Sequence, residues 1–154
     1  MRNILIMDAK DELIIEELGN NARATSSQIA KKTRIPIATV NRRIRQLSSE
    51  GVISRFTITL NHEKIGKTLL AYIFVRLDHK AMKDSKIGVD DVLKKISRVE
   101  EIEDINLLAG EEDMLIKLRA KDTKDLDRLI IQTLRDIPGI AATRTVVVMR
   151  EVKN

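Results

Sequence analysis

Three arginines lie close together near the end of the first third of the 154-residue chain, at Arg42, Arg43 and Arg45. A guanidinium group is always charged, and its fork of N–H donors matches the acceptors of phosphates and of the guanine edge. Side chains of this kind recognise nucleic acid when one rigid element presents them together. Whether they can act together depends on the element that carries them.

The segment from Ile37 to Leu47 has the spacing of an amphipathic helix. Its apolar residues recur at intervals of three, four and three positions and form one stripe: Ile37, Val40, Ile44 and Leu47. At about 100° per residue, the opposite side consists of small, polar and basic residues: Ala38, Thr39, Arg42, Arg45 and Gln46. Asn41 and Arg43 flank that side. The pattern predicts a helix that buries one side and exposes a basic one.

A shorter helix is predicted just before it. Thr25 and Gln28 have the spacing of a capping box, which begins a helix over Ser26 to Lys32. A turn over residues 33–35 follows, and Pro36 suits the first turn of the next helix, where its missing N–H costs nothing. Two helices joined by so short a turn predict a helix-turn-helix.

The charge of this region is one-sided. From Arg23 to Arg55 there are eight basic residues and one acid, a net charge of +7, whereas the whole chain carries +5 and the remainder therefore −2. Concentrated positive charge on a helix-turn-helix is typical of proteins that bind double-stranded DNA. The alternative is a surface helix with solvated arginines, which the imbalance disfavours.

The composition excludes other classes. The chain has no cysteine, which rules out disulfides and thiolate metal sites. It has no apolar run of about 18 residues that could span a membrane. The apolar stretch at its N-terminus is too short, before the first acids, to be a secretory signal. We therefore expect a cytoplasmic protein with no membrane partner.

The chain divides into two parts by pattern. Asp8 can cap a first helix with apolar residues between Leu13 and Leu18, which completes a three-helix core. Residues 52–60 alternate and are rich in β-branched side chains, which predicts a strand that serves as a wing or a tether. We expect a helix-turn-helix domain over 1–51, a strand and linker over 52–66, and a second domain over 67–154.

The second domain alternates between strand and helix patterns. Strands are predicted over Thr68 to Leu77, Ile102 to Ala109, Met114 to Arg119 and Ile140 to Met149, with helices near 89–99 and 126–137. The order βαββαβ is that of a ferredoxin-like unit, in which two helices cover one face of a four-stranded antiparallel sheet.

The other face of this sheet predicts a dimer. Both alternating sets of the first strand are apolar, and the last strand is apolar on both faces as well, with Val146, Val147, Val148 and Met149. Because an uncovered apolar face is uncommon on a soluble monomer, we expect a twofold contact between two such sheets. A dimer also suits a helix-turn-helix, which usually reads paired half-sites.

With these features the chain closely resembles the Lrp/AsnC, or feast/famine, family of prokaryotic transcriptional regulators over nearly its whole length. The most specific match is TVNRRIRQLSSEGVI, from Thr39 to Ile53, and the turn GEED followed by MLIKL matches in the second half. The resemblance implies an α+β fold with an N-terminal winged helix-turn-helix and a C-terminal ferredoxin-like βαββαβ domain of the RAM type. It implies a sequence-specific DNA-binding transcriptional regulator, not an enzyme, that forms homodimers and higher oligomers such as octamers.

The resemblance also implies roles within the helix-turn-helix. The major-groove residues are expected to be Thr39, Arg42 and Arg45, with Ala38 close enough to touch a thymine methyl. Phosphate contacts are expected from Ser27, Asn41 and Arg43. Pro36 departs from the family pattern, because relatives often carry a capping Ser there.

An effector site is implied in the second domain. In relatives a Gly-x-x-Asp turn lines a pocket between dimers, and the matching residues here are Gly110, Glu111, Glu112 and Asp113. Hydroxyls from the start of the last strand, here Thr143 and Thr145, are expected as partners. The three acids predict an acidic pocket mouth and a ligand with a cationic end, such as a basic amino acid. The alternative is that Glu111 and Glu112 form a solvated hairpin tip. No cofactor is expected.

Other chemistry has little support. The acidic run at residues 100–104 lacks the spacing of a calcium loop, and His62 and His79 flank predicted loops. An enzyme would need a base, for which Glu112 with Asp113 is the one acidic pair to consider. A competing class is a ligand-sensing or scaffold βαββαβ protein without specific DNA binding, which would have no use for the outward arginines.

Overall fold

The computed structural model describes residues 7–152, and these separate into two compact units, one up to Leu60 and one from Asn61. The first unit contains three helices: α1 at Ala9–Asn20, α2 at Ser26–Thr33 and α3 at Ile37–Ser49. Their shared core contains the fully buried Ile14, Ile29 and Val40. The predicted three-helix arrangement is therefore confirmed.

The strand predicted over 52–60 is wrong for the single chain. Ile53 donates its backbone N–H to the Leu47 carbonyl at 3.0 Å, but residues 54–60 form no backbone hydrogen bond within the described part of the chain. The alternating side chains satisfy the sequence pattern of a strand, yet a strand also needs a neighbour to pair with. Phe56 and Ile58 consequently remain exposed, at 54% and 72%.

The second unit has the predicted βαββαβ order with one added helix. Its elements are β1 at Leu69–Leu77, α4 at His79–Asp84, α5 at Val89–Ile96, β2 at Ile102–Leu107, β3 at Met114–Ala120, α6 at Thr123–Arg128 and β4 at Ile140–Val147. After α6 the helix continues as a π-helical segment, Leu129–Leu134. The short α4 was not predicted, although Asp78 caps it by accepting the Ala81 N–H at 2.8 Å.

The sheet has the order β2-β3-β1-β4 with antiparallel pairing throughout. This is the strand order of the ferredoxin-like fold, so the predicted fold class is confirmed. Ala71, Ile73 and Val75 of β1 are fully buried and pack with residues of α5 such as Val92 and with Leu126 of α6. One face of the sheet is thus covered by helices.

The opposite face is partly apolar and partly charged. Side chains directly opposite in the register share a face, so Tyr72 lies beside Lys117 and Val146, and Phe74 lies beside Leu115 and Arg144. We call this the open face. The charged residues of the open face were not predicted, because the apolar pattern of β1 does not show which residues of β3 and β4 lie beside it. Val146 remains 42% exposed on it.

Candidate DNA-binding surface and ligand pocket

Polar contacts begin the first helix of the helix-turn-helix and join it to the second. The predicted capping box is confirmed: Gln28 donates its backbone N–H to Thr25 Oγ1 at 3.2 Å, and its side-chain oxygen accepts the Thr25 N–H at 2.8 Å. Ser26 Oγ donates to Asn41 Oδ1 at 2.6 Å. Asn41 therefore fixes α3 against α2 with its carbonyl oxygen, which leaves its amide N–H groups for an acceptor outside.

The outward side of α3 carries exposed cations. Ala38, Arg42 and Arg45 are exposed and Thr39 is partly buried. Among residues 7–152, neither Arg42 nor Arg45 forms an ion pair or a side-chain hydrogen bond. Two guanidinium groups one helical turn apart are thus available to acceptors on a duplex, and Ser27 is also exposed, near the start of α2.

One residue of the predicted buried stripe of α3 is exposed. Ile37, expected in the buried stripe, is 49% exposed because it lies at the very start of the helix, beyond the reach of the core. Val40 and Leu47 are buried as predicted, at 0% and 1%.

Arg43 is engaged inside the unit. Its Nη2 lies 2.5 Å from Asp8 Oδ2 and its Nη1 lies 3.4 Å from Asp11 Oδ2, and its side chain is only 22% exposed. Both ends of the guanidinium therefore have carboxylate partners. Within the single chain this guanidinium joins α3 to the start of α1, and the phosphate contact of Arg43 stays a prediction.

The Asp8 carboxylate is held in its charged form. It caps α1, and the backbone N–H of Asp11 lowers its pKa most, with a further contribution from the Arg43 charge. Asp11 completes the capping box by accepting the Asp8 N–H at 3.1 Å. The two carboxylates that hold Arg43 are thus themselves positioned by the first turn of α1.

A small cavity of about 220 Å³ lies in the second unit at the end of the β2–β3 hairpin. Its lining combines one aromatic ring, two arginines, two glutamates and two small residues of β4: Phe74, Arg76, Glu111, Glu112, Ala142, Thr143 and Arg144. Of the predicted effector residues it brings together Glu111, Glu112 and Thr143. Gly110, Asp113 and Thr145 do not line it.

In the single chain, basic side chains adjoin the glutamates of this cavity. Arg144 Nη2 lies 2.7 Å from Glu112 Oε1, and the Arg144 guanidinium stacks over the Phe74 ring at 4.1 Å from its centroid. Two arginines therefore balance the two glutamates. Arg76, Arg144 and Phe74 were not predicted as site residues. Phe74 and Arg144 are directly opposite each other in the β1–β4 register, which the sequence pattern does not show.

Asp113 has a structural role beside this cavity. Its Oδ2 accepts the Leu77 N–H at 2.7 Å and its Oδ1 lies 2.9 Å from His79 Nε2. The Leu77 N–H is the main cause of its lowered pKa, and His79 contributes further. A carboxylate stabilised in its charged form is a poor general base. In the one acidic pair considered for catalysis, Glu112 is paired with Arg144 and Asp113 accepts a hydrogen bond from Leu77 of β1.

Most of the acidic run at 100–104 contacts basic residues. Glu103 lies 3.0 Å from Lys117 Nζ and 2.9 Å from Arg119 Nε, and Glu101 lies 3.7 Å from Arg128. Within residues 7–152 there is no group of three or more His, Asp or Glu side chains that could hold a metal ion. No helix in the same part of the chain is long and apolar enough to cross a membrane.

A helix-turn-helix with outward arginines, followed by a ferredoxin-like unit with a small polar cavity, defines a DNA-binding regulator with a ligand-binding domain. Family models agree: residues 7–54 match a winged helix-turn-helix DNA-binding domain, and residues 70–154 match the Lrp/AsnC ligand binding domain. The chain belongs to the Lrp/AsnC family of transcriptional regulators, as the sequence analysis predicted.

Individual relatives cover almost the whole chain. It is 38% identical over 148 residues to an uncharacterised HTH-type transcriptional regulator of Pyrococcus horikoshii, with 96% of each chain covered. It is 30% identical to the leucine-responsive regulatory protein of Escherichia coli over 151 residues, covering 96% of this chain and 87% of that protein. A feast or famine regulatory protein from M. tuberculosis, complexed with L-methionine, has a TM-score of 0.85 and 25% identity, with 96% and 95% covered.

Proposed function

We propose that this chain is a sequence-specific DNA-binding regulator that acts as a dimer and responds to an amino acid bound in its second unit. The observation that carries the DNA-binding part is the outward side of α3. Arg42 and Arg45 are exposed there without an ion pair among residues 7–152, whereas Arg43, between them, is occupied by Asp8 and Asp11. Groove-facing arginines can bond bidentately to guanine.

Within this proposal, Thr39, Arg42 and Arg45 contact base edges and Ala38 approaches a thymine methyl. Ser27 and the free amide N–H groups of Asn41 contact phosphates. The functional domains are 1–51 for DNA binding, 52–66 as a connection, and 67–154 for dimerisation and ligand binding. The dimer is supported by the exposed apolar part of the open face, which a second copy of the sheet would cover.

DNA binding can be tested by titrating the protein against a duplex from its own upstream region and a scrambled duplex of equal length. We expect tighter binding to the upstream duplex. Arg42→Ala should cost about 1–3 kcal/mol on that duplex and leave the scrambled one less affected. Equal affinity of the parent for both duplexes would favour the alternative of a ligand-sensing or scaffold protein without specific DNA binding.

The effector part rests on the charges around the cavity. Arg76 and Arg144 can pair with an α-carboxylate, Glu111 can pair with an α-ammonium group, and the Phe74 ring offers apolar contact. Such a lining suits a zwitterionic amino acid and gives no preference for a basic side chain. The methionine bound to the M. tuberculosis regulator is an amino acid of this kind. Gly110, Asp113 and Thr145 would support the site from behind its lining.

Calorimetry against the twenty amino acids tests the effector. A ligand that binds should lose affinity when its α-amine is acetylated or its carboxylate is amidated, because each change removes one of the paired charges. Binding that is restricted to lysine, arginine or simple diamines would instead support an acidic mouth. Failure of all twenty to bind would indicate a regulator without an amino-acid effector.

A further inference from the structure

Arg34 occupies a strained position in the turn of the helix-turn-helix. It is the C-cap of α2 and has a left-handed backbone, with φ 59° and ψ 21°. Among residues 7–152 only Lys86 shares this property of a positive φ without being glycine. In this region the Cβ of an L-residue crowds its own backbone, so glycine is the ordinary choice, and helix-turn-helix turns often contain it.

The Arg34 side chain does nothing inside the unit to offset this strain. It is exposed, and it forms no hydrogen bond or ion pair within the described residues. Two other cations of the unit do have partners: Lys32 Nζ lies 2.6 Å from Glu17 Oε2, and Arg43 is held by Asp8. An arginine that strains its own backbone and makes no contact in the fold is suited to a contact outside it.

The place of Arg34 in the motif indicates what that contact is. It lies three residues before Ile37, the first residue of α3. In a helix-turn-helix bound to DNA, the N-terminal residues of the second helix enter the major groove, while the first helix crosses the sugar-phosphate backbone of the DNA. A side chain in the turn between them lies at the edge of the groove. Charged groups at that edge bind phosphates and carry no base information.

We propose that Arg34 is a phosphate-contacting residue of this DNA-binding unit, and that its charge is the reason a strained turn position holds arginine. The inference rests on the proposed DNA binding by α3. It adds a contact that the pattern of the helix did not predict, because Arg34 lies outside both helices. It also predicts that stability and DNA affinity respond in opposite directions when Arg34 is replaced.

The test compares Arg34→Gly, Arg34→Asn and Arg34→Lys in the full chain. Glycine relieves the strain and asparagine tolerates the left-handed region, while both remove the charge. We expect Arg34→Gly to raise the Tm of the first unit by roughly 2 to 8 °C. Binding to duplex DNA should become roughly five- to tenfold weaker per bound protomer near 0.1 M salt. Arg34→Lys keeps the charge and should bind with nearly the affinity of the parent.

The salt dependence distinguishes a phosphate contact from other effects. Between about 50 and 200 mM salt, the slope of log K against log salt should fall by about 0.9 per bound protomer for the glycine and asparagine variants, on upstream and scrambled duplexes alike. Lys124→Gln removes the same charge from the second unit and should leave the slope unchanged.

An unchanged affinity and slope for both neutral variants would overturn the inference, as would a loss confined to the upstream duplex, which would mean a base contact. If Arg34→Gly folds poorly, Arg34→Asn still decides the charge question. Failure of the parent to bind any duplex is a separate result, because it would contradict the proposed function itself.

Discussion

Arg43 in α3 and Asp8, the N-cap of α1, form an ion pair that joins the first and third helices of the DNA-binding unit. The same guanidinium contacts Asp11, which is only 1% exposed. Adjacent arginines of one helix therefore have different tasks. Arg42 faces outward, whereas Arg43 neutralises the charge of two carboxylates at the start of α1.

Replacing Arg43 by alanine should destabilise the first unit. Asp11 would keep a buried carboxylate without its cation, which costs about 1–3 kcal/mol in the free energy of unfolding. Urea denaturation measures the change. Arg45→Ala removes the same side chain from an exposed position without such partners, and it should change stability by less than about 0.5 kcal/mol.

In DNA binding the order of the two variants should be reversed, with Arg45→Ala more affected than Arg43→Ala. Arg45→Ala should weaken binding to the upstream duplex by about 1–3 kcal/mol, while Arg43→Ala should bind normally at temperatures where it is folded. A stable Arg43→Ala protein with weakened binding would show that Arg43 contacts DNA after all.

The sequence predicted the helices of this unit because their signals are local. The Thr25–Gln28 capping box and the stripe of Val40 and Leu47 depend on residues a few positions apart. The task of Arg43 depends on Asp8, 35 residues away. A helical projection places Arg43 on the flank of α3 but cannot show which carboxylate packs against that flank.

The ligand cavity shows the same limit. Glu111 and Glu112 were predicted because they belong to a recognisable turn. Arg144 lies 32 residues from Glu112 and meets it because β1 pairs with both β3 and β4. Register depends on the folded sheet, so the net charge of the cavity could not be predicted from the hairpin alone. The prediction of a strand over 52–60 was wrong for a related reason. Alternating side chains do not show whether a neighbouring strand is present to pair with it.

Asp113 should stabilise the second unit in a pH-dependent way. Its pKa is lowered in the folded protein, chiefly by the Leu77 N–H, so the carboxylate stabilises the fold above its ordinary pKa of 3.8. That stabilisation is lost as the pH falls through the lowered folded value. We expect Asp113→Ala to cost roughly 1–2 kcal/mol at neutral pH.

The measurement is the difference in Tm between parent and variant as a function of pH. It should shrink as the pH falls below about 5. Glu111→Ala provides the control, since that neighbouring carboxylate has no hydrogen bond among residues 7–152, and it should show little difference at any pH. A constant difference down to the lowest pH would mean that packing, not charge, explains the effect of Asp113.

Gly139 should not tolerate a side chain. Its φ is +99°, and a Cβ added there would lie 2.9 Å from Met82 Cγ, while its carbonyl accepts the Asp78 N–H at 2.9 Å. Gly139→Ala therefore combines backbone strain with a clash against α4, and we expect a loss of about 1–3 kcal/mol in unfolding free energy. Thermal denaturation checks this.

Gly110 is the matched control for that substitution. A Cβ at this position meets nothing within 4 Å, and its φ lies outside the strained range. Gly110→Ala should therefore leave the Tm nearly unchanged. Equal destabilisation by the two alanines would show that a general property of glycine, not the contact with Met82, explains the loss.

Val146 should decide whether the open face forms the dimer. It is 42% exposed and lies beside Tyr72 on the face without helices, so an aspartate there need not disturb the core. In a dimer formed by two open faces the added carboxylate would be buried without a partner. Val146→Asp should then weaken dimerisation by at least about tenfold, measured by sedimentation equilibrium.

Ile131 supplies a control of equal character, because it is 47% exposed but belongs to the π-helical segment on the other side of the sheet. Ile131→Asp should remain dimeric. Since a helix-turn-helix dimer reads two half-sites, Val146→Asp should also bind the upstream duplex more weakly, although α3 is unchanged. If Val146→Asp stays dimeric and Ile131→Asp does not, the dimer uses the helical side, and the open face must be assigned another role.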